Sequence, residues 1–250
     1  MERIQRNNGK KNRSESMAKF YHLLQEQVIV EEEQQMKKRA QEDAILGVWD
    51  YTVILTYISL GIAFLGMIQA IGGNMKMAIL CLAFSGICDM FDGKIARTKK
   101  DRTHEEQMFG IQIDSLCDLV CFGVLPAIIT YQLGMKHIFD ISVLIVFLLG
   151  GLIRLAHFNV SEEKRQKEEK GEVRKYYQGL PITSIAIFLP VLYLLQKVLG
   201  ARFQITLDFS LLIIACFYVF NIQIPKPHGK TIAIASIVGG CALVLCLQLL

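Results

Sequence analysis

The chain has 250 residues, 52% hydrophobic and 20% charged, with 27 Lys and Arg against 23 Asp and Glu for a formal net charge of +4. Its charges crowd into residues 1–45, 94–107 and 160–178. Between them lie apolar runs near the roughly 20 residues a helix needs to cross a bilayer. This excludes a soluble globular domain and predicts an all-α, polytopic transmembrane helical bundle, with no nucleic-acid partner expected.

Residues 1–46 read as a charged cytoplasmic arm and 47–250 as the membrane domain. The first fifteen residues are rich in Asn, Arg and Lys, a composition typical of disorder. From Met17 to Leu46 there is no Pro or Gly, and Phe20, Leu23, Leu24, Val28 and Val30 give a partial apolar face. That pattern suits an interfacial amphipathic helix or a solvated helical arm. The arm has no apolar core of the signal-peptide kind, so no secretory signal is expected.

Seven spans follow, at 51–70, 75–97, 110–133, 139–158, 179–199, 207–222 and 231–250. Gly72-Gly73-Asn74 turns the chain between the first two. Pro126 is expected to kink the third. Gly179-Leu180-Pro181 opens the fifth, after a charged loop at 161–175. The seven cysteines all fall in apolar segments. Cys117 and Cys121 are four apart but lack zinc-site neighbours, so small buried apolar residues are the expectation.

Orientation follows from the basic residues. With the N-terminus in the cytoplasm, only Lys76, Lys136, Lys197 and Arg202 of the 27 fall near the opposite side. The other basic residues are cytoplasmic or at cytoplasmic helix ends.

That orientation places four carboxylates, Asp89, Asp92, Asp114 and Asp118, at the cytoplasmic ends of spans two and three. A charge at the bilayer centre costs roughly 2.5–3.5 kcal/mol even on mild insertion scales. Four together need compensation, and a divalent cation supplies it most directly. Asp89 and Asp92 share a helix face, and Gly93 and Ala96 fall near the same stripe. Gly110, Asp114 and Asp118 repeat every four residues on the next, antiparallel helix. Facing stripes would cluster hard oxygen ligands suited to Mg²⁺, Mn²⁺ or Ca²⁺. Four carboxylates can hold two such ions, an arrangement used for displacement at phosphorus, and Arg97 would add a fixed charge for phosphate. The residues thus suggest metal-assisted chemistry on a phosphorylated lipid. Ion transport is the rival, weakened because no carboxylates line the far ends of these spans.

The residues Asp89, Asp92, Gly93, Ala96, Arg97, Gly110, Asp114 and Asp118 resemble the signature of the CDP-alcohol phosphotransferase family, D-x-x-D-G-x-x-A-R followed by G-x-x-x-D-x-x-x-D. The spacer of twelve is longer than the commonest form, which predicts a longer turn between spans two and three. The segment 109–127, F-G-I-Q-I-D-S-L-C-D-L-V-C-F-G-V-L-P-A, and I-R-L-A-H-F-N-V at 153–160 resemble the branch that makes phosphatidylserine, with His157 where Arg is usual. L-T-Y-I-S-L at 55–60 is loosely similar to the family's first-span motif, with Ser59 where Asn is common.

The resemblance implies six core spans, a homodimer and a reaction. CDP-diacylglycerol would donate its phosphatidyl group to the hydroxyl of L-serine, releasing CMP at the cytoplasmic face of the membrane lipid. Asp89, Asp92, Asp114 and Asp118 would ligate two divalent cations, Mg²⁺ or Mn²⁺, with Asp118 also the general base. CDP-diacylglycerol would meet Thr56, Asp89, Asp92, Gly93, Ala96 and Arg97. Arg154 is either an anion partner for the serine carboxylate or lipid phosphate, or a snorkelling topology anchor. Asn159 is a second candidate for the acceptor. Another acceptor, such as glycerol phosphate or inositol phosphate, an archaeal-type lipid, or a silent scaffold or transporter stays open.

Overall fold

Pairing between α1 (Tyr51–Ile71) and α2 (Met75–Ala96) sets the frame on which the carboxylates sit. The computed structural model describes residues 47–96, 98–99, 103–167, 176–220 and 223–225. The helix expected over 17–46, Arg97 and the last span at 231–250 lie outside them. Asp50 caps α1 by accepting from the Thr52 N–H at 2.8 Å and from the Thr52 hydroxyl. The turn after α1 needs a left-handed residue, and Gly73 supplies it at φ 82°. The helices then approach closely through small residues. Ala63, Ala70 and Ala78 are fully buried, and a Cβ at Gly66 would sit 2.8 Å from the Cys81 Cβ. Ser59 and Ser85 lock the pair reciprocally, each hydroxyl donating to the other's carbonyl at 3.4 and 3.3 Å.

The third predicted span is built in three pieces. α3 (His104–Asp118) leads into a π-helical turn (Leu119–Val124), then α4 (Leu125–Gln132). α3 begins six residues before the expected start at Gly110. The cause is a capping box: Thr103 Oγ1 accepts from the Glu106 N–H at 3.1 Å, and Glu106 Oε2 accepts from the Thr103 N–H at 2.9 Å. Residues 104–109, half of the twelve-residue spacer, are thus helix. Pro126 sits at the start of α4, just after the π turn. A wide turn relieves the clash that proline makes with the preceding turn and tolerates its missing N–H.

α5 (Ile138–Lys167) runs 30 residues, well past the expected end near Phe158. The sequence S-E-E-K-R-Q-K favours helix strongly enough to continue where the apolar run stops. The fifth predicted span is broken. A 3₁₀ turn (Ile182–Ser184) precedes α6 (Ile185–Leu194), which holds Pro190, and α7 (Gln196–Leu199) ends at Gly200 with φ 52°. α8 (Phe203–Val219) begins four residues before the expected Leu207. β1 (Tyr176–Gln178) and β2 (Gln223–Pro225) pair antiparallel, with Tyr177 opposite Ile224. Strands of three residues leave no readable alternation, so this short pairing within an all-α architecture had no sequence signal.

Four stretches are long and apolar enough to cross a membrane: Tyr51–Ile71, His104–Gln132, Ile138–Lys164 and Gln196–Val219. They coincide with the first, third, fourth and sixth expected spans. α2 carries Lys76, Asp89, Asp92 and Lys94, and the apolar helix at Ile182–Leu194 is short. Phe64, Leu65, Ile145, Phe209 and Ile213 face outward, as lipid-exposed helices require. The interior is closed by α5 against α8. A Cβ at Gly150 would lie 3.1 Å from the Ala215 carbonyl, and the Phe147 and Tyr218 rings are 5.8 Å apart.

Candidate active site

Asp89 on α2 and Asp114 and Asp118 on α3 converge. One carboxylate oxygen from each lies within 4.8 Å of the other two. The spacing of Asp114 and Asp118 is one helical turn, so both project toward α2. Two oxygens on opposite sides of one Mg²⁺ would be about 4.2 Å apart, and of one Ca²⁺ about 4.6–5.2 Å apart. The donor set is three hard oxygens, and its spread fits a single divalent cation held between the helices. Three half-buried carboxylates at this separation repel each other strongly without one.

Asp92 is placed differently. It is buried, and its Oδ2 accepts from Thr56 Oγ1 at 3.3 Å, outside the tight triad. Thr56 is itself buried, one turn before Ser59 on the face that meets α2. Gly93 is exposed, and a Cβ there would meet nothing within 4 Å, so the surface beside Asp92 is open. Ala96 ends α2, and Gly110 lies on α3 one turn before Asp114.

The two acceptor candidates have partners that the sequence did not reveal. Arg154 Nε donates to the Leu180 carbonyl at 3.1 Å, and its Nη2 to the Gly179 carbonyl at 3.5 Å. The guanidinium thus ties α5 to the turn that opens the fifth helical segment. A guanidinium has five N–H donors in a fixed fork, so a tether of this kind leaves its positive charge in place. Asn159 accepts from Ser115 Oγ at 2.6 Å through Oδ1, and its amide donates to Gln112 Oε1 at 3.3 Å. Ser115 is buried beside Asp114, so this network joins α5 to the carboxylate helix. Ser115 lies within the D-S-L motif, which was its only sequence signal. His157 is exposed, while Thr183 and Ser184 lie in the 3₁₀ turn.

At the mouth of the α1–α2 pair, Lys99 Nζ bridges Asp50 at 2.7 Å and Glu106 at 3.1 Å. This ion triad connects the α1 cap to the first turn of α3. It fixes the entry of the carboxylate helix relative to Thr56.

A family model described as CDP-alcohol phosphatidyltransferase matches residues 51–222. The chain belongs to this family. The match takes in every helix just described, from the Asp50-capped α1 to the end of α8. The chain is also similar to named family members. One is the CDP-diacylglycerol–serine O-phosphatidyltransferase of Saccharomyces cerevisiae, 40% identical over 114 residues, 45% of this chain and 40% of the relative. A Helicobacter pylori enzyme of the same name is 30% identical over 178 residues, 65% of this chain and 68% of the relative. The archaetidylserine synthase of Methanothermobacter thermautotrophicus is 26% identical over 178 residues, 70% of each chain. The chain thus spans less than half the length of the yeast relative and about two thirds of the other two.

Proposed function

We propose that this protein is a phosphatidylserine synthase, transferring the phosphatidyl group of CDP-diacylglycerol to the hydroxyl of L-serine and releasing CMP. The observation that carries the reading is the convergence of Asp89, Asp114 and Asp118 within 4.8 Å in a member of a phosphatidyltransferase family. The similarity to relatives named for serine transfer supports the acceptor.

A divalent cation bound at these carboxylates, Mg²⁺ or Mn²⁺, would neutralise the pyrophosphate and polarise the phosphoryl oxygens. Asp118 would take the proton from the serine hydroxyl as its oxygen forms the new bond to phosphorus, while the bond from phosphorus to the CMP oxygen breaks. Thr56 would hold Asp92 in place, where that carboxylate, Gly93, Ala96 and Arg97 would meet the CDP group. A second ion would draw on Asp92. Arg154 would place positive charge for the serine carboxylate or the lipid phosphate, and Asn159 would order the acceptor side through Ser115.

The site would open to the cytoplasm, an orientation supported by the basic residues that flank it. The N-terminus would lie on the same side, and the active unit would be a homodimer. Labelling of single engineered cysteines from each face, and cross-linking in lipid discs, test these two points.

The deciding experiment incubates purified protein with CDP-diacylglycerol, Mn²⁺ and labelled serine, and follows CMP and labelled lipid. Both should form, and a chelator should stop them. Lipid formed with glycerol phosphate but not with serine would overturn the acceptor. The similarity to an archaetidylserine synthase, which covers 70% of the chain, favours one parallel arm with an ether-linked CDP-archaeol. Faster turnover there would change the lipid and keep the chemistry.

A further inference from the structure

Cys117 and Cys121 flank Asp118, and their Sγ atoms are 3.6 Å apart. Both are buried, Cys121 completely. Cys117 Sγ donates to the Thr56 carbonyl at 3.2 Å, and Cys121 Sγ lies 3.6 Å from Ser59 Oγ. The two cysteines are four apart on one helix face, and the π turn Leu119–Val124 begins between them. The chemistry proposed above uses neither thiol.

The sulfur separation decides what such a pair can hold. A disulfide needs its Cβ atoms about 3.5–4.5 Å apart, whereas Cβ atoms four residues apart on a helix lie about 5–6 Å apart, so the pair cannot close without moving the backbone. A single atom bonded to both at about 2.3 Å, the zinc–thiolate length, spans about 3.8 Å at a tetrahedral angle. The pair is therefore set for a bridging centre rather than for oxidation. Structural zinc needs four ligands. Among the described residues, the only metal-ready group of three or more His, Cys, Asp or Glu is the aspartate triad, so zinc has too few partners here. A thiophilic centre that needs only two sulfurs and carries its own apolar substituent fits.

We propose that Cys117 and Cys121 form a dithiol modification site, buried beside Asp118, for monosubstituted trivalent arsenicals. With an aryl arsenoxide, each sulfur forms a bond to arsenic. The two thiol protons leave with the arsenoxide oxygen as one water, and arsenic stays trivalent. An aryl group is apolar, so the reagent concentrates in the lipid around this helical bundle. The bridge clamps the backbone on both sides of Asp118, and it fixes the π turn that the triad helix leans on. Occupation therefore stops the chemistry at the triad without touching a carboxylate.

The test treats the full chain in lipid discs with one equivalent of phenylarsine oxide and weighs the intact protein. One adduct per chain is expected, heavier by a phenylarsenic group less two hydrogens. It should be removed by ethanedithiol and resist an excess of a monothiol. Digestion should place it on a peptide holding both Cys117 and Cys121. Cys117→Ser and Cys121→Ser should each abolish it, while Cys216→Ser should keep it. The wild-type peptide map decides the matter even if a serine variant fails to fold. An adduct on other cysteines, or none, overturns the site. Fully modified protein with unchanged turnover overturns the clamp. The mass readout does not depend on the proposed reaction, so a failed serine assay would sink that function and leave this site standing.

Discussion

Thr56 on α1 donates to Asp92 on α2, Oγ1 to Oδ2, across a buried 3.3 Å contact. Thr56 thereby holds a carboxylate that sits apart from the triad. Thr56→Val keeps the shape and removes the donor. A hydrogen bond to a charged group contributes about 1.5–3 kcal/mol, so kcat/KM for CDP-diacylglycerol should fall by about 10- to 100-fold. Thr56→Ser should restore most of it. Equal kinetics for the valine and wild-type proteins would show that Asp92 needs no such support.

Asp118→Asn should separate fold from chemistry. General-base loss alone should lower kcat by about 10²–10⁴-fold. The metal-free variant should nevertheless melt at a higher temperature than metal-free wild type, because one charge leaves a crowded carboxylate triad. Wild type should gain about 2.7 kcal/mol of stability at Mn²⁺ a hundredfold above its Kd, and the variant much less. Thermal scans with and without Mn²⁺ read both effects. A variant that melts lower without metal would refute the repulsion argument.

The Ser115–Asn159 contact of 2.6 Å predicts a selective defect. Ser115→Ala removes one neutral hydrogen bond of about 1 kcal/mol, so KM for serine should rise about fivefold. KM for CDP-diacylglycerol should not move. A rise in both would make the network a plain packing element.

Arg154→Lys keeps the charge and loses the fork on Gly179 and Leu180. Each lost bond is about 1 kcal/mol, so the melting temperature should drop while KM for serine stays within about twofold. A large rise in that KM would mean that the planar fork itself grips the carboxylate.

The Asp50–Lys99 pair gives a pH signature. The Lys99 ammonium, then Thr52, holds the Asp50 carboxyl down from 3.8 to about 2, and the same contact raises Lys99 above 10.5. A carboxyl with its folded pKa below its unfolded one stabilises fully above about pH 4, and that contribution is lost as pH falls through about 2. Seen from Lys99, the contribution is complete below its ordinary pKa and lost as pH rises beyond the folded one. Unfolding of Lys99→Met should therefore show a shallower acid loss than wild type, with the difference shrinking in high salt. Parallel acid profiles would show the pair to be energetically silent.

Several of these relationships could be read from sequence, and others could not. Asp114 and Asp118 declare their shared face by a spacing of four, and the apolar runs announce α1 and α5. The start of α3 was missed because Thr103, His104, Glu105 and Glu106 have no apolar period. Their signal is a cap, which acts through backbone N–H groups. The extension of α5 was hidden for a related reason: hydropathy ends at the membrane, but helix propensity does not. Thr56 could be flagged by its motif. That it meets Asp92 depends on the register of α1 against α2, set by Gly66 and the paired serines. The Ser115–Asn159 bond depends on where α5 crosses α3, and no local pattern encodes that.

The π turn at Leu119–Val124 divides one continuous span into two halves that answer to different neighbours. Ahead of it, Cys117 is held to the Thr56 carbonyl; just beyond it, the Leu125 side chain lies against Gly66, 3.2 Å from where a Cβ would be. In a helix of uniform pitch, any repacking around Leu125 would swing Asp114 and Asp118 with it. The wide turn uncouples the two halves, so the buried half from Leu125 to Gln132 can repack against α1 while the aspartates keep their aim.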